Sequence, residues 1–324
     1  MSRIVIGIHG IGNKPPKELL AKWWKKALLE GLRKNDHSVK DFNFELVYWA
    51  DILHKTPLDP DESNTESPFY IREPYKPEHG KTNREGLSFR RRALEYLEKY
   101  SEKILVNGVL SLNIPSLTDL FIHRHLRDLE EYYSESITLV KNKNSLVRQV
   151  IIERLVEVLK NHRKKKIFLI AHSMGSIIVY DALRHFSSDI SVEILVTIGS
   201  PLGQRYVVDK IKSESSKNYN SLVIPDNIVR CWYNFADEED QVAINPELSK
   251  IYKENSRGIK IHDIKVQNNY EYSGLRNPHK SYGYLRTPEL SDILNSFLKQ
   301  RRFKLFNWIK NYLRPGKIIS LLIL

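Results

Sequence analysis

Apolar residues in this chain fall into two alternating patterns. Short apolar runs without polar alternation, the kind a strand shows when both faces of a parallel sheet are covered, occur at residues 3–9 and 166–171, and residues 42–50, 192–198 and 228–236 also read as strands. Between them the apolar positions return with helical period. Residues 16–32 carry Leu19, Leu20, Trp23, Trp24, Ala27 and Leu28, and residues 146–162 carry Val147, Val150, Ile151, Leu155, Val158 and Leu159. A third helical pattern (Ile177, Ile178, Ala182, Leu183, Phe186) starts directly after the run at 166–171, and a closing helix is expected over 288–298. Residues 258–267 alternate polar and apolar, as an edge strand does. Strand, helix, strand in this order predicts an α/β fold: a mostly parallel sheet flanked by helices.

Residues 51–144 break the rhythm. The stretch 56–81 is rich in Pro, Asp, Glu, Ser and Asn and reads as a long loop, while 84–105 and 117–139 read as charged helices. So long a stretch does not fit a connection inside a compact sheet. It is read as an inserted helical cap, and caps above a sheet's carboxyl edge shape access to a site. The expected organisation is a core of residues 1–50 and 145–300, a cap or lid at 51–144, and a basic amphipathic tail at 301–324.

Composition adds limits. The 324 residues, 41% hydrophobic, suffice for one large α/β domain with an insertion. The single cysteine, Cys231, excludes an internal disulfide and fits a reducing compartment. Residues 1–12 lack the charged start, apolar stretch and cleavage site of a signal peptide, and no run approaches the roughly 18 apolar residues of a membrane span. The expected location is the cytoplasm. A net charge of +12 favours anionic partners and equally serves solubility. Nucleic acid is not expected, because no recognition module is visible. In the tail, Leu298, Leu305, Phe306, Ile309 and Leu313 lie near one helical face among lysines and arginines, followed by an apolar run at 318–324. Such a segment can lie on an anionic membrane, or dock on its own domain or a second subunit. Both readings stay open.

Candidate chemistry sits at the ends of the apolar runs. The run at 166–171 leads straight into His172-Ser173-Met174-Gly175 and a helix. So sharp a reversal strains its central residue and requires small neighbours, here Ala171, Gly175 and Ser176. It pushes a serine hydroxyl above the sheet over a helix N-terminus. The first run ends in His9-Gly10-Ile11-Gly12. A phosphate-binding loop fails there because Asn13 stands where that motif has lysine, and a dinucleotide fingerprint fails because Pro15 stands in place of the third glycine. Two further strand ends bring Asp237-Glu238-Glu239-Asp240 and a loop containing His279. Sites in parallel sheets lie at these carboxyl ends, and the chain order is serine, acid, histidine. No His-Glu-x-x-His and no Cys/His cluster is present, so no metal is expected.

His9-Gly10-Ile11-Gly12 and Ala171-His172-Ser173-Met174-Gly175, in this order, resemble the α/β-hydrolase superfamily of lipase/esterase-like serine hydrolases. The likeness covers the chain apart from the cap and tail. It implies Ser173 as nucleophile, His279 as base and Asp240 as the orienting acid, with Asp237 as the alternative. It also implies the backbone N–H groups of Ile11 and Met174 as the oxyanion hole, no cofactor, and cleavage of carboxylic, lipid-like esters; if the tail lies on a membrane, a phospholipid becomes the natural substrate. His9 is expected to brace the oxyanion loop and His172 to pack in the elbow. Mid-strand His262 comes too early for the base. The sequence departs from the family in Ala171, which replaces a glycine, and in lacking the first two antiparallel strands. A competing reading is a non-catalytic protein of the same fold that binds an anionic membrane or nucleic-acid surface.

Overall fold

The structure, a computed structural model, describes residues 1–78, 127–134, 137–140, 143–185, 190–214, 222–243 and 245–299. Its centre is a sheet of six strands: β1 (Arg3–Ile8), β2 (Phe44–Val47), β3 (Lys166–His172), β4 (Val192–Ile198), β5 (Ile228–Ala236) and β6 (Ile261–Lys265). All pairs are parallel and the spatial order is β6-β5-β4-β3-β1-β2. The chain moves outward from β1 to β2, then returns across β1 to β3 and continues the other way. This reversal opens a crevice beyond the carboxyl ends of β1 and β3, where doubly wound sheets place their sites.

Both faces of the sheet are covered, which is why its central strands are apolar without alternation. On one face Ile4, Ile6, Ile8, Ile167, Leu169 and Ala171 pack against α2 (Val147–Asn161), α3 (Met174–His185) and α4 (Arg205–Ser213). On the other, Val5, Phe168, Ile170, Ile194 and Val196 meet α1 (Lys17–Lys34), α5 (Ser281–Leu285) and α6 (Pro288–Leu298). Phe168 is fully buried against Phe297, with ring centroids 5.2 Å apart. Truncating such a side chain to alanine costs about 3–5 kcal/mol.

The α/β architecture is the one expected, and two local expectations are corrected. The strand expected over 42–50 stops at Val47, and Ala50–Leu53 forms one helical turn. Trp49 leaves the sheet because its backbone N–H donates to His9 Nε2 at 3.1 Å and its indole N–H to the His9 carbonyl at 3.0 Å. The helix expected over 117–139 fails at its far end. Residues 127–133 are helical, but Ile137–Val140 pairs antiparallel with Lys143–Leu146, as the β-branched Ile137, Thr138 and Val140 favour. Helix α4, nine residues long with Val207 and Ile211 buried, is not among the elements expected from the pattern. The helix expected over 84–105 and the tail at 301–324 lie outside the described residues.

The described ends of the inserted stretch are fastened to the core. Tyr75 donates to Glu30 at 2.8 Å, Tyr270 to the Pro74 carbonyl at 2.6 Å, and Arg286 to the Lys76 carbonyl at 3.0 Å. At its other end, buried Tyr132 donates to Asp181 at 2.8 Å.

Candidate active site

Ser173 is the turn between β3 and α3 and holds a left-handed backbone, with φ of +53°. For a residue with a Cβ that conformation costs about 1–3 kcal/mol, so the surroundings must impose it. They do so at both peptide groups. The Ser173 N–H donates to the Ile198 carbonyl at 3.1 Å, and the Ser173 carbonyl accepts from the Ser176 N–H at 2.9 Å and the Ser176 hydroxyl at 2.6 Å. Gly175 allows α3 to begin this close to β1, since a Cβ there would lie 2.8 Å from the His9 carbonyl oxygen and 2.9 Å from that of Ile8.

The structure brings Ser173, His279 and Asp240 together. His279 Nε2 lies 3.1 Å from Ser173 Oγ, and Nδ1 lies 3.0 and 2.9 Å from the two Asp240 oxygens. A carboxylate at Nδ1 can only accept, so Nδ1 carries the proton and Nε2 is left to accept from the serine hydroxyl. Asp240 is buried and also accepts from Tyr284 Oη–H at 2.6 Å and from the Val242 N–H at 3.0 Å. Gly199, at φ +54°, makes room for the pair. A Cβ there would stand 2.7 Å from Asp240 Oδ2 and 3.0 Å from His279 Nδ1.

Asp237, the alternative acid, is turned elsewhere. Its carboxylate accepts from Arg276 at 2.6 Å and from the N–H groups of Asn268 at 2.5 Å and Glu239 at 2.8 Å. His172 donates from Nε2 to the His279 carbonyl at 2.8 Å, with its ring 4.8 Å from that of His279. Burial, and then the charge of His279, hold the His172 imidazole well below its ordinary range, so it stays neutral. His262 lies on β6 against Tyr233, 5.4 Å between ring centroids.

The two backbone donors expected at the site lie on the elements that frame the crevice. Met174 opens α3, so its N–H is among the first-turn amides a helix leaves unbonded. Ile11 follows β1 in the loop braced by His9. Because His9 Nε2 accepts the Trp49 N–H, the proton sits on Nδ1, which donates to the Gly10 carbonyl at 2.8 Å. The Gly10–Ile11 peptide is trans, so fixing its oxygen on one side sends the Ile11 N–H to the other. The His9 imidazole is stacked on Trp49 and kept neutral chiefly by burial.

Several groups around the site carry no signal in the sequence. Tyr284 reaches Asp240 only because α5 folds back beneath the acid loop. Glu73, in the first part of the insertion, accepts from Asn277 Nδ2 at 3.0 and 2.9 Å, and Asn277 Oδ1 accepts the His279 N–H at 3.1 Å. Lys14, His54 and Asp128 surround the loop at residues 9–12. No spacing rule joins residues so far apart along the chain. Among the described residues no group of His, Cys, Asp and Glu could hold a metal ion, and no helix is long and apolar enough to cross a membrane.

A parallel sheet with this strand order, a serine on a strained strand–helix turn, and a histidine and an acid delivered by later strand ends form the arrangement of the α/β-hydrolase fold. Residues 149–271 match the family model of lecithin:cholesterol acyltransferase. The match spans Ser173 and Asp240; His9–Gly12 and His279 lie outside it. No curated protein matches the chain.

Proposed function

We propose that this protein is a serine hydrolase that cleaves carboxylic esters of lipid-like molecules through an acyl-enzyme. The observation that carries this reading is the pair of hydrogen bonds at His279, to Ser173 on one side and Asp240 on the other. Ser173 Oγ attacks the ester carbonyl as His279 Nε2 takes its proton, because a free serine hydroxyl is too weak a nucleophile. Asp240 keeps the imidazole in the required tautomer and stabilises it once charged. The N–H groups of Ile11 and Met174 receive the developing oxyanion, a contribution of about 3 kcal/mol per donor. The imidazolium then protonates the leaving alcohol, and a second nucleophile releases the acyl group by the reverse steps.

The family match bears on the second nucleophile. Lecithin:cholesterol acyltransferase is named for moving an acyl group between lipids, so an alcohol is proposed beside water as acyl acceptor here. The lipid-like substrate rests on the same match. The non-catalytic reading draws its support from charge and from a tail outside the described residues. A location in the cytoplasm, peripheral to a membrane, is proposed on the sequence features alone.

The test is turnover of p-nitrophenyl esters from butyrate to palmitate and of acyl-labelled phosphatidylcholine, with and without a long-chain alcohol. The expected result is ester cleavage that disappears in Ser173→Ala. Equal rates in the two proteins would overturn the proposal.

A further inference from the structure

Ile11 lies between two peptide groups, and the aim of its N–H is secure only if neither can turn. The preceding group is held by His9. The following one, Ile11–Gly12, is held at both ends by opposite charges. Lys14 Nζ donates to the Ile11 carbonyl oxygen and, at 3.0 Å, to that of Gly12. On the far side the Gly12 N–H donates to Asp128 Oδ2 at 2.5 Å. Asp128 is buried, and His54 Nε2 holds the same carboxylate at 3.1 Å from Oδ1.

An ammonium at the oxygen end and a carboxylate at the hydrogen end lie along the peptide's own dipole. Both hydrogen bonds are charge-assisted, roughly twice as strong as neutral ones. A flipped peptide would set its oxygen against the carboxylate and its N–H against the ammonium, so the observed orientation is strongly preferred. Burial and the neighbouring Lys280 bring the Lys14 ammonium down to about 7, while Asp128 pulls the other way. The carboxylate therefore helps keep its partner charged near neutral pH.

Asp128 stands 116 positions from Gly12 in the chain, on the helical residues 127–133 that follow the bulk of the insertion. Its plainest role would be to anchor that helix. An anchor, however, needs no second charge on the opposite end of the same peptide. It also has no reason to act on the loop that carries the Ile11 N–H.

We propose that Asp128 and Lys14 are positioning residues for ester hydrolysis. They clamp the Ile11–Gly12 peptide so that the Ile11 N–H faces the oxyanion, and this makes the returning end of the insertion part of the catalytic apparatus. The proposal rests on the hydrolase reading above. A clamp of this kind serves the transition state, where the oxyanion is present, and not the ground-state ester.

The test compares wild type, Asp128→Asn and Lys14→Met in turnover of p-nitrophenyl butyrate, inhibition by butylboronic acid and thermal melting. The boronate forms a tetrahedral adduct on serine and so reports on the oxyanion hole. The expected result is a kcat lower by about 10- to 100-fold, KM within about twofold, and a boronate Ki weakened in proportion to kcat. If Asp128→Asn does not fold, Lys14→Met carries the same comparison. Turnover that depends on Ser173 but is unchanged in the clamp variants, whatever their melting temperatures, overturns the clamp and leaves the hydrolase reading standing. A wild-type protein with no Ser173-dependent turnover overturns both.

Discussion

The Tyr284 hydroxyl donates to Asp240 Oδ2 across 2.6 Å and accepts the Asp237 N–H across 2.9 Å. One phenol thus holds the carboxylate that faces His279 and ties down the start of the loop that carries it. Burial and the adjacent Asp240 charge push the phenol's own ionisation far up, so it remains a donor at any working pH. Tyr284→Phe removes the bond to Asp240 and orphans a buried N–H. The expected outcome is a loss of about 1–3 kcal/mol in urea unfolding. Esterase kcat should also fall by about 10-fold, because Asp240 can then rotate away from Nδ1.

Gly199 separates a steric requirement from a chemical one. It takes no part in any proton transfer, yet a methyl group there would press on both Asp240 and His279 and sit on a left-handed backbone. Gly199→Ala is expected to lower kcat by about 100-fold, in line with the cost of misplacing a catalytic group by about 1 Å. Wild-type steady-state kinetics in this variant would mean that the pair does not lie against residue 199 in solution.

The two aspartates of the 237–240 loop should behave oppositely. Asp240→Asn leaves the shape intact but disturbs the histidine tautomer, so kcat at neutral pH should drop by about 10⁴-fold with little change in melting temperature. Asp237→Asn discharges the carboxylate paired with Arg276 at 2.6 Å. Its effect should be a stability loss of about 1–3 kcal/mol with most of the activity retained. Rates and melting curves of the two variants side by side decide the assignment.

That choice marks the limit of what the chain discloses by itself. The strands were legible because both faces of the sheet are buried, leaving β1 and β3 as nearly uninterrupted apolar runs. Ser173 was legible because its constraints are local: a strand, a turn among small residues and a helix, all within a dozen positions. Asp237 and Asp240 share one tetrapeptide, and only the turn between them, closed by the Asp240 N–H to the Asp237 carbonyl at 3.0 Å, decides which one faces His279. Tyr284, Glu73, Lys14 and Asp128 act through contacts made by folding, and no period or motif connects them to Ser173. The end of β2 was misplaced because Trp49, strand-like in type, is drawn off by His9.

Two buried imidazoles predict a pH dependence of stability. Burial holds His9 and His172 well below the ordinary histidine value, whereas in the unfolded chain each titrates near about 6.5. Below that pH the unfolded chain binds protons that the folded one refuses. Stability is therefore full above it and falls on acidification, by up to about 1.4 kcal/mol per pH unit for each group. Urea unfolding between pH 7.5 and 5 should show this slope. In His172→Gln, whose amide can still donate to the His279 carbonyl, the slope should be shallower by about one proton. An unaltered slope would show that His172 is free to protonate in the fold.

The most direct measurement is covalent labelling by a fluorophosphonate, with the modified residue mapped by peptide mass spectrometry. Ser173 activated by His279 should take the label stoichiometrically in the wild-type protein. In His279→Ala, which keeps the hydroxyl and loses its base, labelling should slow by orders of magnitude. Label on a different residue, or none at all while the protein still hydrolyses esters, would contradict the account.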